Sequence, residues 1–356
     1  MSQHQAELRA EGRADQPVQS QDGTVDRRRK RGGKRRRDEH QMVPDAVFTS
    51  YYGRPVVKAS PWEADIPAYL FLGGLAAGSS LLGAGAGLSG RPVLRRAGRI
   101  SALTAISISF AALVHDLGRP SRFVNMLRVA KPTSPMSVGT WILTVYGPLA
   151  GAAGAAELLV PFAGRLPRSL RMPVQLLGRL AGPAGVGAAV VAPAVASYTA
   201  VLLTHTSTPT WSAARKHLPF VFVGSAAAAS GGLGMLLAPV SEAAPARRLA
   251  LGGALLELGV EHSMEASMGI TAEPLHQGAG GTLMRASKIL TVLGAVGSLF
   301  GRRNRVAAGL SGACLVAGSA CTRFGVFEAG QASARDPKYT VVPQRQRIER
   351  GESAGA

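Results

Sequence analysis

The sequence predicts an all-α membrane protein, an eight-transmembrane-helix bundle preceded by a basic disordered N-terminal tail. Three observations carry that reading. The 356 residues are 46% hydrophobic and only 17% charged, with a mean hydropathy of +0.14, which is too apolar for an ordinary soluble enzyme. Apolar runs of about 16 to 23 residues recur between Pro67 and Thr322, a length that matches the roughly 30 Å hydrocarbon core of a bilayer. The net charge of +19 is kept apart from those runs, mainly in the tails and loops.

Taken in order, residues 1–48 form the tail, 49–325 the bundle and 326–356 a C-terminal extramembrane tail. The first segment carries RRRKRGGKRRR (Arg27–Arg37) and no apolar run follows it until Pro67, so it reads as disordered and not as a secretion signal. Such a block invites a nucleic-acid reading, but no aromatic or groove-reading element accompanies it. Polybasic residues beside a span bind anionic membrane lipid instead, and we expect membrane lipid and no nucleic acid as its partner.

Spans are expected at 67–88, 98–115, 138–160, 184–204, 217–238, 249–270, 286–301 and 306–322, because only a helix satisfies its own backbone polar groups in lipid. The first contains GLAAGSSLLGAGAG (Gly74–Gly87), small residues that let helices approach closely. Between the third and fourth, LPRSLRMPVQLLGRL (Leu166–Leu180) mixes Arg with Leu, Met and Val at near-helical spacing, as an interfacial helix or a polar loop would. The last two spans are short. Short-loop arginines and lysines number about thirteen on one side and about eight on the other, which would put both termini outside by the positive-inside rule. The basic tails argue for termini inside.

Ionisable side chains are costly at bilayer depth, so those inside spans are functional candidates. Glu257, Glu261 and Glu265 recur at four-residue spacing on span six, one stripe of a helix, with His262 on the adjoining face. Neighbouring carboxylates repel unless protonated or bridged, the property a proton relay uses; a solvated acidic face is the plainer reading. His115 and Asp116 close span two just before Gly118, Arg119 and Pro120. That trio of imidazole, carboxylate and guanidinium can pass protons at the membrane edge, although Asp116 and Arg119 could equally be a loop-ordering pair. Trp62, Tyr69, Trp141, Tyr146, Tyr198 and Trp211 lie near span ends, where aromatics anchor the interface; a tyrosine there can also hydrogen-bond a quinone, which singles out Tyr69 and Tyr198. Cys314 and Cys321 are too few for an iron–sulfur cluster and read as small core residues. His115, His205 and His262 show no pairing across helices of the kind that ligates haem. No metal or haem is therefore expected in this chain.

Six motifs then set a pattern: YLFLGGLAAG (Tyr69–Gly78), DLGRPSRF (Asp116–Phe123), PTSPMSVGTW (Pro132–Trp141), SYTAVLLTHTSTPTW (Ser197–Trp211), LPFVFVGSA (Leu218–Ala226) and TRFGVFEAGQASARDPKYTVVPQR (Thr322–Arg345). In this order the chain resembles the polysulfide reductase NrfD family, the integral membrane subunits of complex iron–sulfur molybdoenzymes. The resemblance implies a bundle that binds quinone, menaquinone or ubiquinone, near one face and exchanges two electrons and protons with it. It implies as partners an iron–sulfur electron-transfer subunit on that face and a molybdopterin-type catalytic subunit beyond it. It gives Tyr198 the role of quinone hydrogen-bond partner and brings the Asp116–Pro135 loop near the iron–sulfur partner, with Arg119, Arg122, Pro132, Ser134 and Pro135 as docking residues. Tyr69 stands where some members carry a histidine.

The function expected is thus a quinone-binding subunit of a plasma-membrane respiratory oxidoreductase, multi-pass and not catalytically complete alone. Quinone binding falls to Tyr69, His115, Asp116 and Tyr198, and proton transfer to Glu257, Glu261, His262 and Glu265. A proton-coupled secondary transporter is the alternative that the acidic stripe also serves, though no inverted repeat is evident. A purely structural anchor would leave the stripe unexplained.

Overall fold

A computed structural model describes residues 55–117, 119, 121 and 123–349. The basic tail at 1–48 lies outside the described residues, as do Gly118, Pro120 and Arg122. Eight long helices follow one another: α1 (Asp65–Leu88), α2 (Pro92–Asp116), α3 (Pro135–Leu159), α4 (Arg168–Thr204), α5 (Leu218–Leu237), α6 (Ala244–Met268), α7 (Gly278–Phe300) and α8 (Arg305–Arg335). A shorter helix, α9 (Lys338–Glu349), single helical turns at Phe123–Met126 and Pro209–Ala213, and 3-10 segments at Val160–Arg165, Ala214–Lys216 and Gly269–Leu275 complete the described elements. The chain is an all-α, multi-pass membrane bundle.

Seven of the eight long helices are both long and apolar enough to cross a bilayer. The exception is α6, long enough at 25 residues but loaded with Arg247, Arg248, Glu257, Glu261, His262 and Glu265. Consecutive helices pair as α1 with α2, α3 with α4, α5 with α6 and α7 with α8, while α1 and α5 touch most of the others. They are also the most enclosed, with 78% and 67% of their apolar windows buried. Their glycines make this possible: a Cβ on Gly224 of α5 would stand 2.6 Å from the Glu257 nitrogen, and one on Gly253 of α6 would strike the Ala228 backbone. Close backbone approach is how helices pack where lipid removes the hydrophobic drive between them.

Three boundaries differ from expectation. Leu166–Leu180 is helical from Arg168 but continuous with the fourth span, giving a 37-residue helix with Pro173, Pro183 and Pro193 inside it. At 1.5 Å per residue that is about 55 Å, longer than a bilayer core, so the first turns project beyond the lipid. Proline inside a membrane helix is tolerated when neighbours satisfy the freed backbone. Helix α7 begins at Gly278, eight residues before the expected limit of 286, and α8 runs on to Arg335, past the expected 322. Lys288 therefore lies well inside α7, and Arg323, one residue past the expected end of the last span, well inside α8.

The helix ends are capped from other elements. Glu242 accepts from the Val93 and Leu94 nitrogens at 2.9 and 3.0 Å, a carboxylate at the positive end of α2. Arg305 donates to the carbonyls of Met235 (2.6 Å), Ala238 (2.7 Å) and Leu236 at the end of α5. Asn304 caps α8 through the Val306 nitrogen at 2.9 Å.

Contacts of this kind define two ends of the bundle. One joins the start of α1 to the end of α2 and gathers the ends of α4, α6 and α8. The other joins the start of α2 to the ends of α3 and α5. Aromatics expected at the interface are mostly interior: Trp211 and Tyr146 are fully buried and Tyr69 and Tyr198 nearly so, leaving Trp141, 43% exposed, as the anchor-like one. Trp211 donates to the Val326 carbonyl at 2.8 Å and stacks on Trp62, and Tyr146 meets the Ser80 hydroxyl at 2.8 Å.

Candidate functional site

Near the α1-start end, α1, α2 and α3 enclose a cavity of about 460 Å³. Its walls are Leu103, Ile106, Phe110 and Leu113 of α2, Leu143 of α3, and Phe123 and Leu127 from the loop. Phe123 packs edge-on against Phe110 with ring centroids 4.8 Å apart, an arrangement aromatic quadrupoles favour. The loop after α2 is therefore one wall of the cavity. Volume and lining fall in the range of small-molecule sites, which are mostly apolar with few placed polar groups.

Five hydroxyls line this cavity: Tyr69, Ser107, Ser109, Thr140 and Thr144. Ser109 donates to the Tyr69 carbonyl at 3.1 Å, Thr140 to Met136 at 3.0 Å and Thr144 to Thr140 at 2.8 Å. Those three donors are spent within the helices. Ser107 is exposed at the margin. Tyr69, only 2% exposed, is left as the buried hydroxyl, and among the described residues it makes no hydrogen bond.

Tyr198 does not line this cavity. Its ring presses on Gly139, where any Cβ would collide with it, one residue from the wall residue Thr140, and its buried hydroxyl has no partner among the described residues. Tyr69 and Tyr198 belong to one core cluster. His115 does not form the expected trio. Its Nδ1 lies 2.7 Å from the Asp65 carboxylate at the start of α1, with the imidazole 82% exposed, while Asp116 is half-buried and Arg119 exposed. Helix spacing explains the change: Asp65 opens the neighbouring antiparallel helix and faces the last turn of α2.

The loop is tied to α3. Ser137 donates to the Val129 carbonyl at 2.8 Å and accepts from the Lys131 nitrogen at 2.9 Å, and Trp141 donates to Val129 at 3.3 Å. Ser134 is the N-cap of α3 and Pro135 its first residue. Pro132 is exposed, and Ser134 and Pro135 half-buried. Arg122 lies outside the described residues.

A second polar group runs through α5 to α8. Glu257 and Glu261 are each 1% exposed. Glu257 accepts from Thr322 at 2.7 Å, and Thr322 meets Ser287 at 2.6 Å. Glu261 lies 3.6 Å from the Lys288 ammonium, which also binds Glu265 at 2.8 Å; His276 stands 3.9 Å from Glu265. Arg323, 1% exposed, donates to the Phe222 carbonyl at 2.7 Å and lies 3.7 Å from the Phe222 ring centroid. One oxygen of Glu257, both oxygens of Glu261 and two nitrogens of Arg323 accept or donate no hydrogen bond among the described residues, the Glu261–Lys288 contact being an ion pair at 3.6 Å. Buried polar groups without partners are expensive, so this row has room in its hydrogen bonding for water or a transferred proton. His262, by contrast, is exposed and takes no part in these contacts, because it lies about 100° around α6 from Glu261.

Lys288, Thr322 and Arg323 are not among the candidates of the sequence: Lys288 is counted there as a short-loop cation, and Thr322 and Arg323 stand at the expected end of the last span. Among the described residues, no three His, Cys, Asp or Glu side chains gather in a form that could hold a metal ion. Cys314 and Cys321 are free and half-buried.

No curated protein matches the chain in a sequence search. The model of one family, described as polysulphide reductase, NrfD, matches residues 56–247, more than half of the chain, from the segment before α1 to the first turn of α6. That span holds the apolar cavity, the loop that walls it and the first five crossing helices, and by it the chain belongs to the NrfD polysulphide reductase family.

Proposed function

We propose that this chain is the quinone- or quinol-binding subunit of a multisubunit oxidoreductase of the plasma membrane. In this reading it passes electrons between the quinone pool and a peripheral iron–sulfur subunit, which is linked in turn to a molybdopterin-type catalytic subunit, and it anchors both. The observation that carries the proposal is the 460 Å³ apolar cavity with the Tyr69 hydroxyl unspent inside it. A quinone is a flat apolar ring with two carbonyl acceptors, so it needs apolar walls and a donor aimed at one oxygen. Tyr69 supplies the donor; Leu103, Ile106, Phe110 and Leu143 supply the walls. Tyr198 backs the wall at Gly139 and holds the α3 backbone at Thr140 in position.

Reduction of quinone to quinol consumes two electrons and two protons, and oxidation releases them. The electrons come from or go to the partner. The protons require titratable groups on the route to the cavity, and the His115–Asp65 pair and Asp116 stand two and three residues beyond its wall residue Leu113, at the end of α2. The Glu257, Glu261, Glu265 row with Lys288 supports a second role, proton movement within α5 to α8. In this reading the loop is the docking surface, with Arg119 and Pro132 exposed and Ser134 and Pro135 half-buried; Arg122, the remaining docking residue expected from the sequence, lies outside the described residues.

The test is to purify the tagged protein from its native membrane in mild detergent, identify co-purifying subunits by mass spectrometry, and measure electron transfer sensitive to quinone analogues. Iron–sulfur and molybdopterin-type subunits with inhibitor-sensitive turnover are expected. A solitary, redox-silent protein would overturn the proposal in favour of a proton-coupled transporter, for which the buried carboxylate row is the observation.

A further inference from the structure

At the opposite end of the bundle from Tyr69 lies a second cavity, of about 450 Å³, between the end of α1, the start of α2, the end of α3 and the early turns of α4. Its polar lining is Arg95, Arg99 and Glu157. Glu157 accepts from Arg95 Nε at 2.8 Å, Arg95 Nη2 at 3.4 Å and Arg99 Nη1 at 3.0 Å. Two guanidiniums carry ten N–H donors between them, and one carboxylate engages three. The Arg99 side chain is only 11% exposed, and its Nε is buried without a partner. The cavity therefore holds one net positive charge and unspent donors of the planar kind that match a phosphate.

The surroundings decide which phosphate. Beside the arginines the outer surface is apolar and open, with Leu88 82%, Val190 75%, Val186 43% and Val160 40% exposed. Arg95 and Arg99 lie in the first two turns of a membrane-crossing helix, the depth of lipid headgroups. The early turns of α4, which project past the bilayer core, form the remaining wall through Gly178, Ala181 and Gly182. A free phosphate would use the arginines and leave this apolar rim idle, whereas a phospholipid uses both. We propose that the cavity is a specific site for an anionic phospholipid, its phosphate on Arg95 and Arg99, its glycerol region against Leu88 and its acyl chains along Val186 and Val190. It does not rest on the quinone reading, which concerns the other end of the bundle.

The test uses the full-length protein, purified from its native membrane, stripped of lipid and reconstituted with equal amounts of phosphatidylglycerol and phosphatidylcholine of the same acyl chains. Lipid retained through gel filtration is quantified by mass spectrometry. The expected result is roughly tenfold enrichment of phosphatidylglycerol: both lipids offer the phosphodiester, but the choline cation of phosphatidylcholine meets the net positive charge of the Arg95, Arg99 and Glu157 group, which repels it. R99Q should bring retention close to parity, and E157Q, which frees both guanidiniums, should keep or raise it. G182L keeps all three polar side chains and places its bulk where a Cβ meets no atom within 4 Å; it should abolish enrichment through cavity filling alone. Equal retention of both lipids by the wild type would overturn the proposal, as would loss of enrichment on adding millimolar inorganic phosphate. Enrichment undiminished in G182L would likewise refute it.

Discussion

Tyr69 is left as the donor of the apolar cavity by what its neighbours have already committed. Because Ser109, Thr140 and Thr144 give their protons to backbone carbonyls, a carbonyl entering the cavity meets one buried donor. Tyr69→Phe should lower quinone-linked turnover about tenfold, roughly the ~1.4 kcal/mol of a lost hydrogen bond, with helix content unchanged by circular dichroism. Tyr198→Phe should also impair turnover, but by less, because that hydroxyl does not line the cavity and the ring, which Gly139 receives, is retained. In the second polar group the difference between neighbours on one helix is sharper. Glu261→Gln should slow proton movement coupled to turnover at least about tenfold, measured as pH change in proteoliposomes, while the membrane assembly survives. The same substitution at exposed His262 should stay within about twofold of wild type; equal losses at both positions would count against the buried row as the path.

At the scale of elements, the α5–α6 contact is set by glycine and not by large apolar side chains. Gly253 abuts the Ala228 backbone, so Gly253→Leu must push the helices apart and carry Glu257 away from Thr322. A loss of about 1–3 kcal/mol is expected from overpacking, seen as a lower melting temperature in detergent. Helix α9 is tied down differently, by the Lys338–Glu273 ion pair at 2.8 Å outside the crossing segments. The hydrogen bond from Lys338 holds the Glu273 carboxyl below its ordinary value of 4.5, and the bond to Glu273 raises Lys338 above 10.5. A depressed carboxyl contributes above its unfolded pKa and loses that contribution as pH falls through the folded one; a raised ammonium contributes below 10.5 and loses it as pH rises through its folded value. Anchoring of α9 should therefore persist from mildly acidic to mildly alkaline pH and weaken in acid below the carboxylate range. Hydrogen exchange across 338–349 would show this as a severalfold change at most, since an exposed ion pair contributes little and buried Tyr339 still holds the helix; Lys338→Gln should give the same modest acceleration at neutral pH.

Over the whole molecule the two ends differ in chemistry. One presents the quinone-sized cavity, the His115–Asp65 pair and the loop docked on α3; the other presents the arginine cavity and the interhelical caps Glu242 and Arg305. The sequence by itself determined the membrane class, the eight helices, the family and the acidic stripe on α6, because hydropathy over a bilayer length and four-residue spacing are local properties that need no neighbour to be seen. It also singled out Tyr69 and the Asp116–Pro135 loop. Only the tertiary structure decided that His115 pairs with Asp65 and not with its sequence neighbours, that Tyr198 stands behind the cavity wall, that His262 faces away from the carboxylates, and which groups Lys288 and Arg323 meet inside the bundle. The physical reason is the same in each case. A charge or polar group in a membrane is tolerated or expelled according to which partner lies across the helix interface, and that partner is distant in the chain: Glu265 for Lys288, the Phe222 carbonyl for Arg323.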